Sequence, residues 1–176
     1  MILNQDDSLV LVIDVQEKLL NAVFNKEEVA KKSRILAKSA NILKLPIIVT
    51  EQYPQGLGET IDGIKDSAKL FIKTAFNALN DELLKELEKN GKKQIIIWGI
   101  ETHICVHQTV EALIEAGFEV TVVSDACGSR AESEYKSALA CMMRNGANIK
   151  TTEMILFELL KGAKHPNFKE IQSLIK

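Results

Sequence analysis

Three residues of this chain combine side-chain types that do chemistry together: a thiol, a carboxylate and an amine. They are Cys105, Asp14 and Lys73, and each follows a short apolar run. Cys105 comes after a glycine turn, just as an amphipathic helical pattern begins, and a helix N-terminus stabilises anions such as a thiolate. A desolvated carboxylate can take a thiol proton, and a nearby ammonium stabilises both negative groups. The combination predicts a cysteine hydrolase.

Short apolar runs alternate with helical patterns along the chain, and these elements must position the three residues. We predict strands at residues 9–13, 46–50, 70–72, 95–98, 120–123 and 149–151. Strands that are apolar throughout and separated by helices indicate a parallel sheet covered on both faces. We therefore expect an α/β fold, a three-layer αβα sandwich with a doubly wound, Rossmann-like sheet of about six strands. The carboxyl ends of such strands form a ligand crevice, where Asp14, Lys73 and Cys105 can meet.

The chain shows no repeats, low-complexity tracts or linker, so we expect residues 1–176 to form a single domain. The longest irregular stretch is residues 51–67, and a long loop in a compact domain is often a functional lid. The turn at residues 99–105 enters a helix, so its backbone N–H groups can hold the oxyanion of an acyl-transfer reaction.

Net charge and cysteine content indicate which binding partners and which cellular compartment to expect. The formal net charge is −2, which provides no field to attract nucleic acid or anionic lipid, so we expect neither a nucleic-acid nor a membrane partner. The first apolar stretch, residues 8–13, is too short to span a bilayer, and we see no signal peptide. Three cysteines without a framework argue against a disulfide scaffold and favour a reducing cytosol. We therefore predict a cytoplasmic protein.

Each candidate residue also has a purely structural interpretation. Asp14 could cap the following helical turn, Lys73 could be solvated, and a free cysteine such as Cys105 is usually a small buried hydrophobe. The functional interpretation depends on all three falling at strand ends of one sheet. His103 and His107 are spaced as helical metal ligands can be, but no third histidine is near in sequence, and we expect no metal.

Four segments together carry a specific family resemblance. They are residues 11–16 (LVIDVQ), 73–76 (KTAF), 99–106 (GIETHICV) and 122–130 (VVSDACGSR). Over nearly its whole length the chain resembles the isochorismatase-like cysteine hydrolases, which include nicotinamidases and N-carbamoylsarcosine amidases. Residues 50–58 (TEQYPQGLG) and 165–171 (HPNFKEI) make it most similar to the short isochorismatase-domain-containing branch.

The resemblance implies roles for individual residues. Cys105 would be the nucleophile, Asp14 the general base and Lys73 their ion-pairing partner. A non-proline cis peptide bond would join Ile100 to Glu101, and it would aim an N–H into the oxyanion hole beside that of Cys105. Four further residues are expected to contact substrate: Gln16 and Phe76 as pocket lining, Tyr53 as part of a lid, and His103 at the rim.

Departures from the family pattern narrow the expected reaction. Nicotinamidases carry Asp-x-His and a further histidine for a metal, whereas residues 51–54 here are EQYP. We therefore expect no catalytic metal or other cofactor, and no nicotinamidase activity. True isochorismatases lack the nucleophilic cysteine that Cys105 supplies. We expect hydrolysis of a small amide-like or related carbonyl substrate through a thioester, by a homo-oligomer that is a dimer or larger. The alternative is a binding or scaffold protein that retains the fold with little turnover.

Overall fold

Six parallel strands form one sheet in the computed structural model, which describes residues 2–176. In chain order they are β1 Ser8–Ile13, β2 Ile47–Gln52, β3 Lys69–Lys73, β4 Gln94–Gly99, β5 Glu119–Val123 and β6 Asn148–Lys150. Their order across the sheet is β3-β2-β1-β4-β5-β6. The chain leaves the centre in one direction after β1 and in the other after β4, which is the doubly wound arrangement. The predicted α/β fold is confirmed.

Helices cover both faces of this sheet. They are α1 Glu17–Ala22, α2 Lys26–Ile42, α3 Pro54–Leu57, α4 Asp81–Asn90, α5 His107–Glu115, α6 Glu132–Arg144, α7 Thr152–Leu160 and α8 Phe168–Ile175. α2 packs against α7 and α8, and α5 packs against α6. Because parallel crossovers are right-handed, the connection after β1 and the connection after β4 lie on opposite faces. The result is the three-layer sandwich expected from the sequence.

The two central strands, β1 and β4, approach each other closely at their carboxyl ends. Every residue of β1 and β4 is buried, and Ile13 pairs with Gly99 where both strands end. Gly99 has a φ of 146°, and a Cβ at this position would lie 1.9 Å from the carbonyl oxygen of Ile13. Only glycine fits there. The close approach places Asp14, the next residue after β1, beside the loop that carries Cys105.

The loop 51–67 contains one more element than the sequence predicted. α3 begins at Pro54, whose fixed φ suits the first turn of a helix and whose missing N–H costs nothing there. β2 also extends to Gln52, two residues beyond the predicted strand end. Within residues 2–176 no helix is both long and apolar enough to cross a bilayer.

Candidate active site

The carboxyl ends of the strands bring Asp14, Lys73 and Cys105 together. Asp14 follows β1, Lys73 is the last residue of β3, and Cys105 lies in the turn after β4. The Nζ of Lys73 is 2.6 Å from Oδ2 of Asp14, and the Cys105 thiol contacts the same carboxylate. All three residues are buried. The convergence that the functional interpretation required is therefore present.

Asp14 is a buried carboxylate held by three neighbours. Its backbone has a φ of 50°, a left-handed conformation that aspartate tolerates better than most residues. The Thr50 hydroxyl donates to Oδ1 at 2.6 Å, while Lys73 faces Oδ2. Burial raises the pKa of Asp14, and the contacts with Lys73, Thr50 and Cys105 oppose that increase. Asp14 is thus a stronger base than an exposed aspartate.

Lys73 is fixed at the centre of a ring of oxygen acceptors. Besides Asp14, its Nζ donates to Oε1 of Gln52 at 2.8 Å and to the carbonyls of Ala75 and Phe76 at 3.1 and 3.2 Å. Its side chain is only 4% exposed. A buried ammonium in such surroundings neutralises Asp14 and holds the following loop in place.

The Cys105 thiol has a raised pKa in this site, whereas the sequence analysis expected a helix N-terminus to lower it. Burial, followed by the charge of Asp14, raises the pKa of Cys105 to about 12, although Lys73 and the N–H of Glu101 oppose the increase. α5 begins only at His107, because Thr102–Val106 forms a π-helical turn in which Val106 N–H donates to the carbonyl of Glu101. Desolvation and a neighbouring carboxylate outweigh the partial charge of a helix end. The thiol therefore needs a base.

The peptide bond between Ile100 and Glu101 is cis, as the resemblance implied. The N–H of Ile100 donates to the carbonyl of Ile13 at 2.9 Å, so Ile100 offers no donor to a substrate. The N–H of Glu101 instead faces the sulfur of Cys105. Of the predicted oxyanion-hole residues, Glu101 therefore has a donor beside the reacting atom.

A small cavity of about 70 Å³ opens over Cys105. It is lined by Leu19, Gln52, Leu57, Phe76, Glu101, Ile104 and Cys105. Most of these side chains are apolar, and the one charged group, Glu101, pairs with Nε of Arg130 at 2.8 Å. Leu57 comes from the loop 51–67 and Phe76 from the segment after β3. The cavity suits a small molecule with an apolar portion.

Gln16, which we expected to line the pocket, lies beneath it instead. The side chain is fully buried. Its Oε1 accepts from the Gln52 N–H at 2.7 Å, and its Nε2 donates to the carbonyls of Gln52 and Gly58 at 3.0 and 2.6 Å. Gln16 thus joins β1 to the two ends of the α3 segment and supports the site without lining its cavity.

Tyr53 and His103 also lie outside the cavity. Tyr53 has a φ of 38°, its ring lies against Gly56, and the residue is 56% exposed. His103 is two positions before Cys105 in a helical turn, so its side chain points away from the thiol, and Nδ1 lies 3.0 Å from Oγ of Ser129. It borders a separate surface depression with His107. Within residues 2–176, no group of three or more His, Cys, Asp or Glu side chains is placed to hold a metal ion.

Gln52 is the site residue that the sequence analysis missed. Its Oε1 accepts from Lys73 at 2.8 Å and from the Cys105 thiol at 3.3 Å. The signal was available in principle, because Gln52 ends β2 as Lys73 ends β3. The predicted strand ended at residue 50, so Gln52 was assigned to the loop.

Comparison with known proteins gives the same family as the sequence motifs. The isochorismatase domain model matches residues 8–154. Isochorismatase family protein 1A of Dictyostelium discoideum is 41% identical, over 98% of this chain and 87% of its own length. Isochorismatase domain-containing protein 2 of Xenopus laevis is 37% identical, over 98% of this chain and 85% of its own length. The similarity extends over nearly the full chain and includes the branch that residues 50–58 and 165–171 indicated.

Solved structures share the fold over its full extent. MAR1 ribonuclease from Caenorhabditis elegans has a TM-score of 0.93 and 38% identity, covering 99% of this chain and 92% of its own. YcaC from Pseudomonas aeruginosa was solved with hexane-2,5-diol and covalent acrylamide. It has a TM-score of 0.93 and 30% identity, and the match covers 98% of this chain and 91% of its own. The YcaC gene product of Escherichia coli, an octameric hydrolase of unknown specificity, has a TM-score of 0.89 and 28% identity, covering 98% and 95%.

Proposed function

The chain belongs to the isochorismatase family, and we propose that it is a cysteine-dependent hydrolase of a small amide-like or related carbonyl compound. One observation carries the proposal. A buried carboxylate, Asp14, contacts both the Lys73 ammonium and the Cys105 thiol beside a small, largely apolar cavity. A base, a nucleophile and a charge-balancing cation are the parts that covalent acyl transfer requires.

Acylation begins when Sγ of Cys105 attacks the carbonyl carbon of the substrate. As the S–C bond forms, the thiol proton passes to Asp14, and Lys73 offsets the negative charge within the cluster. The N–H groups of Glu101 and Cys105 stabilise the oxyanion of the tetrahedral intermediate. When that intermediate collapses, the C–N bond breaks and Asp14 returns the proton to the leaving amine. The products of this half-reaction are an amine and a thioester on Cys105.

Deacylation uses the same groups in reverse. Asp14 takes a proton from a water molecule, whose oxygen attacks the thioester carbonyl. The C–S bond then breaks, the proton returns to the thiolate, and a carboxylic acid leaves. Because Asp14 alternates between base and acid, its carboxylate must stay close to both Lys73 and Cys105 through the cycle.

One related protein supports hydrolysis as the reaction, and another supports a small uncharged amide as the kind of ligand. The Escherichia coli relative is a hydrolase of unknown specificity, and the Pseudomonas aeruginosa relative carries covalent acrylamide, a small uncharged amide. The cavity over Cys105 is also small, at about 70 Å³. These features support small, uncharged carbonyl compounds as substrates.

Two alternatives compete with this proposal. One is a binding or scaffold protein with little turnover. The other is a ribonuclease, because the Caenorhabditis elegans relative carries that name. No cationic side chain lines the cavity, and the net charge is −2. RNA binding depends largely on cationic contacts with phosphate. The small-molecule reaction therefore fits the site better than cleavage of RNA.

Acylation of Cys105 by p-nitrophenyl acetate tests the proposal directly. Wild-type protein is expected to release a burst of p-nitrophenol, gain one acetyl group on Cys105 by mass spectrometry, and then lose it to water. Cys105→Ala abolishes the burst, and Asp14→Asn slows acylation about a hundredfold or more because the base is lost. Cys141→Ala, which changes a half-buried cysteine outside the cavity, is the matched control and keeps the burst.

Each alternative predicts a different result in this design. Folded wild-type protein that gains no acetyl group on Cys105 supports the binding or scaffold alternative. Degradation of single-stranded RNA by wild type and its loss in Cys105→Ala supports the ribonuclease alternative. If acylation is the same in wild type and Asp14→Asn, the assigned base is wrong.

We also propose that the protein self-associates and resides in the cytoplasm. The octameric relative supports association into a dimer or larger assembly. Edge strand β3 supplies an apolar surface for it, since Leu70 and Ile72 are 43% and 60% exposed on the same side of the strand. Free thiols at all three cysteines support a reducing compartment.

A further inference from the structure

The Gln52 side chain is held in a single orientation by its neighbours. Lys73 can only donate hydrogen bonds, so the atom that faces its Nζ at 2.8 Å must be the amide oxygen. The same oxygen accepts from the Cys105 thiol. The backbone of Gln52 is held in turn by both ends of the Gln16 amide. The carboxamide of Gln52 is therefore fixed in position before any ligand arrives.

This orientation leaves the amide nitrogen of Gln52 free to bind a ligand. Nε2 donates to no acceptor among residues 2–176, and it is not among the fully buried unpaired atoms. Gln52 itself lines the cavity over Cys105. The cavity thus contains fixed N–H donors next to the nucleophilic sulfur, where a ligand acceptor can replace water.

The charges around the cavity cancel in pairs. Asp14 pairs with Lys73 and Glu101 pairs with Arg130. A carboxylate entering the cavity would lose its hydration and find no unpaired cation, which is unfavourable in a largely apolar space. An uncharged ligand loses much less on entry, and an amide N–H donor satisfies a carbonyl or hydroxyl acceptor.

We infer that Gln52 determines substrate specificity in this site: its Nε2 donates to an acceptor of a small uncharged substrate, while its Oε1 holds Lys73 and the Cys105 thiol. The inference rests on the proposed hydrolase function and adds a substrate class. That class is small uncharged carboxamides and related carbonyl compounds with an apolar portion. Anionic analogues of the same size are rejected.

Paired labelling of Cys105 by iodoacetamide and iodoacetate measures this selectivity. Both reagents form an S–C bond and release iodide, so the ratio of their rates does not depend on the fraction of thiolate. The reference is the same ratio at Cys105 in urea-unfolded protein. Folded wild-type protein is expected to favour iodoacetamide about tenfold over that reference, with sites and rates read by mass spectrometry.

Two variants of Gln52 test its N–H donors and the charge at this position separately. Gln52→Met removes the donors, so labelling by iodoacetamide slows about tenfold relative to labelling by iodoethane, an uncharged reagent without a hydrogen-bond acceptor. Gln52→Glu places a second carboxylate by the thiol, so iodoacetate is repelled further and the ratio rises. Gln55→Glu makes the same change at an exposed position of the neighbouring segment and should leave the ratio at the wild-type value.

A merely structural role for Gln52 would slow iodoacetamide and iodoethane equally in Gln52→Met, and that result would overturn the inference. A wild-type preference for iodoacetamide over iodoacetate no greater than in the unfolded protein would also overturn it. If Gln52→Met does not fold by circular dichroism, the nearly isosteric Gln52→Glu, which also lacks the N–H donors, carries the test with the same two uncharged reagents. The proposed function fails separately, when Cys105 acylation does not depend on Asp14. The two failures are therefore distinguishable.

Discussion

In the proposed reaction, Asp14 and Cys105 share a single proton in a buried cluster that also holds Lys73. With the proton on sulfur, the charges are those of Asp14 and Lys73 and they cancel. With the proton on Asp14, the charges of the Cys105 thiolate and Lys73 cancel in the same way. Removing the proton altogether leaves a net negative charge in a desolvated space, which is why the pKa values of both Asp14 and Cys105 are raised. Proton transfer within the cluster is therefore easier than loss of the proton to solvent.

Replacing Lys73 by methionine is expected to shift the pH dependence of Cys105 labelling. The acid limb of the rate–pH curve should move to higher pH. Lys73 lowers the pKa of Asp14 against the effect of burial, so its removal raises that pKa and Asp14 is protonated earlier as pH falls. The rate of iodoacetamide labelling, followed by intact mass across the acidic and neutral range, reports the shift. Lys65→Met, at a partly exposed lysine paired with Glu59, is the control. An unchanged acid limb in Lys73→Met would contradict the assigned coupling.

The Cys105 thiol should also lower stability at alkaline pH. Burial, then the charge of Asp14, raises its pKa from 9.0 to about 12 in the folded state. At pH values between these two pKa values, the unfolded chain loses the thiol proton and the folded chain keeps it. The free energy of unfolding therefore falls as pH rises. Each such group contributes a slope of up to about 1.4 kcal/mol per pH unit. In urea unfolding, Cys105→Ala should show a shallower alkaline decline than wild type; parallel declines would refute the assignment.

At the residue scale, the sequence predicted that the three proposed reacting groups meet, and it predicted their surroundings less well. Asp14, Lys73 and Cys105 could be placed together because each follows an apolar run in one parallel sheet. The position of Tyr53 could not be predicted, because no local pattern indicated its left-handed backbone or its contact with Gly56. Gln52 was missed because its role depends on how far β2 extends, and strand ends are set by pairing with neighbours.

At the scale of elements, Thr109 connects the turn that contains Cys105 to the segment after β3. Its hydroxyl donates to the carbonyl of Cys105 at 2.6 Å and accepts from the N–H of Ala78 at 2.9 Å, and it is fully buried. One side chain on α5 thus fixes the turn that carries the thiol and the segment that carries Phe76. The relative position of these two segments sets the width of the cavity.

Thr109→Val keeps the shape of this link and removes its hydrogen bonds. The N–H of Ala78 and the carbonyl of Cys105 are then buried with one partner fewer, and we expect a loss of about 1–3 kcal/mol in the free energy of unfolding. Labelling of Cys105 by iodoacetamide should change as well, because the cavity walls are no longer tied together. Thr109→Ser, which retains the hydroxyl, should recover most of both properties. Equal effects of the two substitutions would show that packing, not hydrogen bonding, is what matters.

The elements themselves were predictable where apolar periodicity dominates. All six strands lie where the sequence indicated, because continuous apolar runs have few other ways to be buried. The exception is the segment between β2 and β3. α3 and the hydrogen bonds that Gln16 makes to this segment depend on residues distant in sequence. The helix expected to begin at Cys105 also begins later, at His107, since a π-helical turn precedes it.

At the scale of the whole molecule, strand β3 is the edge where the sheet is least covered. Phe71 and Lys73 point into the protein, whereas Leu70 and Ile72 face outward and are substantially exposed. An exposed apolar edge strand favours association with another chain. Phe76, which lines the cavity and is 53% exposed, follows β3 directly. A second copy bound at this edge would therefore lie next to the entrance of the active site.

Ile72→Asp tests whether this edge is where copies of the chain meet. Wild-type protein should sediment as a dimer or larger assembly, and Ile72→Asp should shift it towards the monomer because a carboxylate would be buried without a partner in the interface. The folded monomer should tolerate the change, since Ile72 is 60% exposed. Ile2→Asp makes the same change at a side chain that is 73% exposed on another part of the surface and should leave the assembly intact. A monomeric wild type would refute self-association, whereas an intact assembly of Ile72→Asp would place the contact elsewhere.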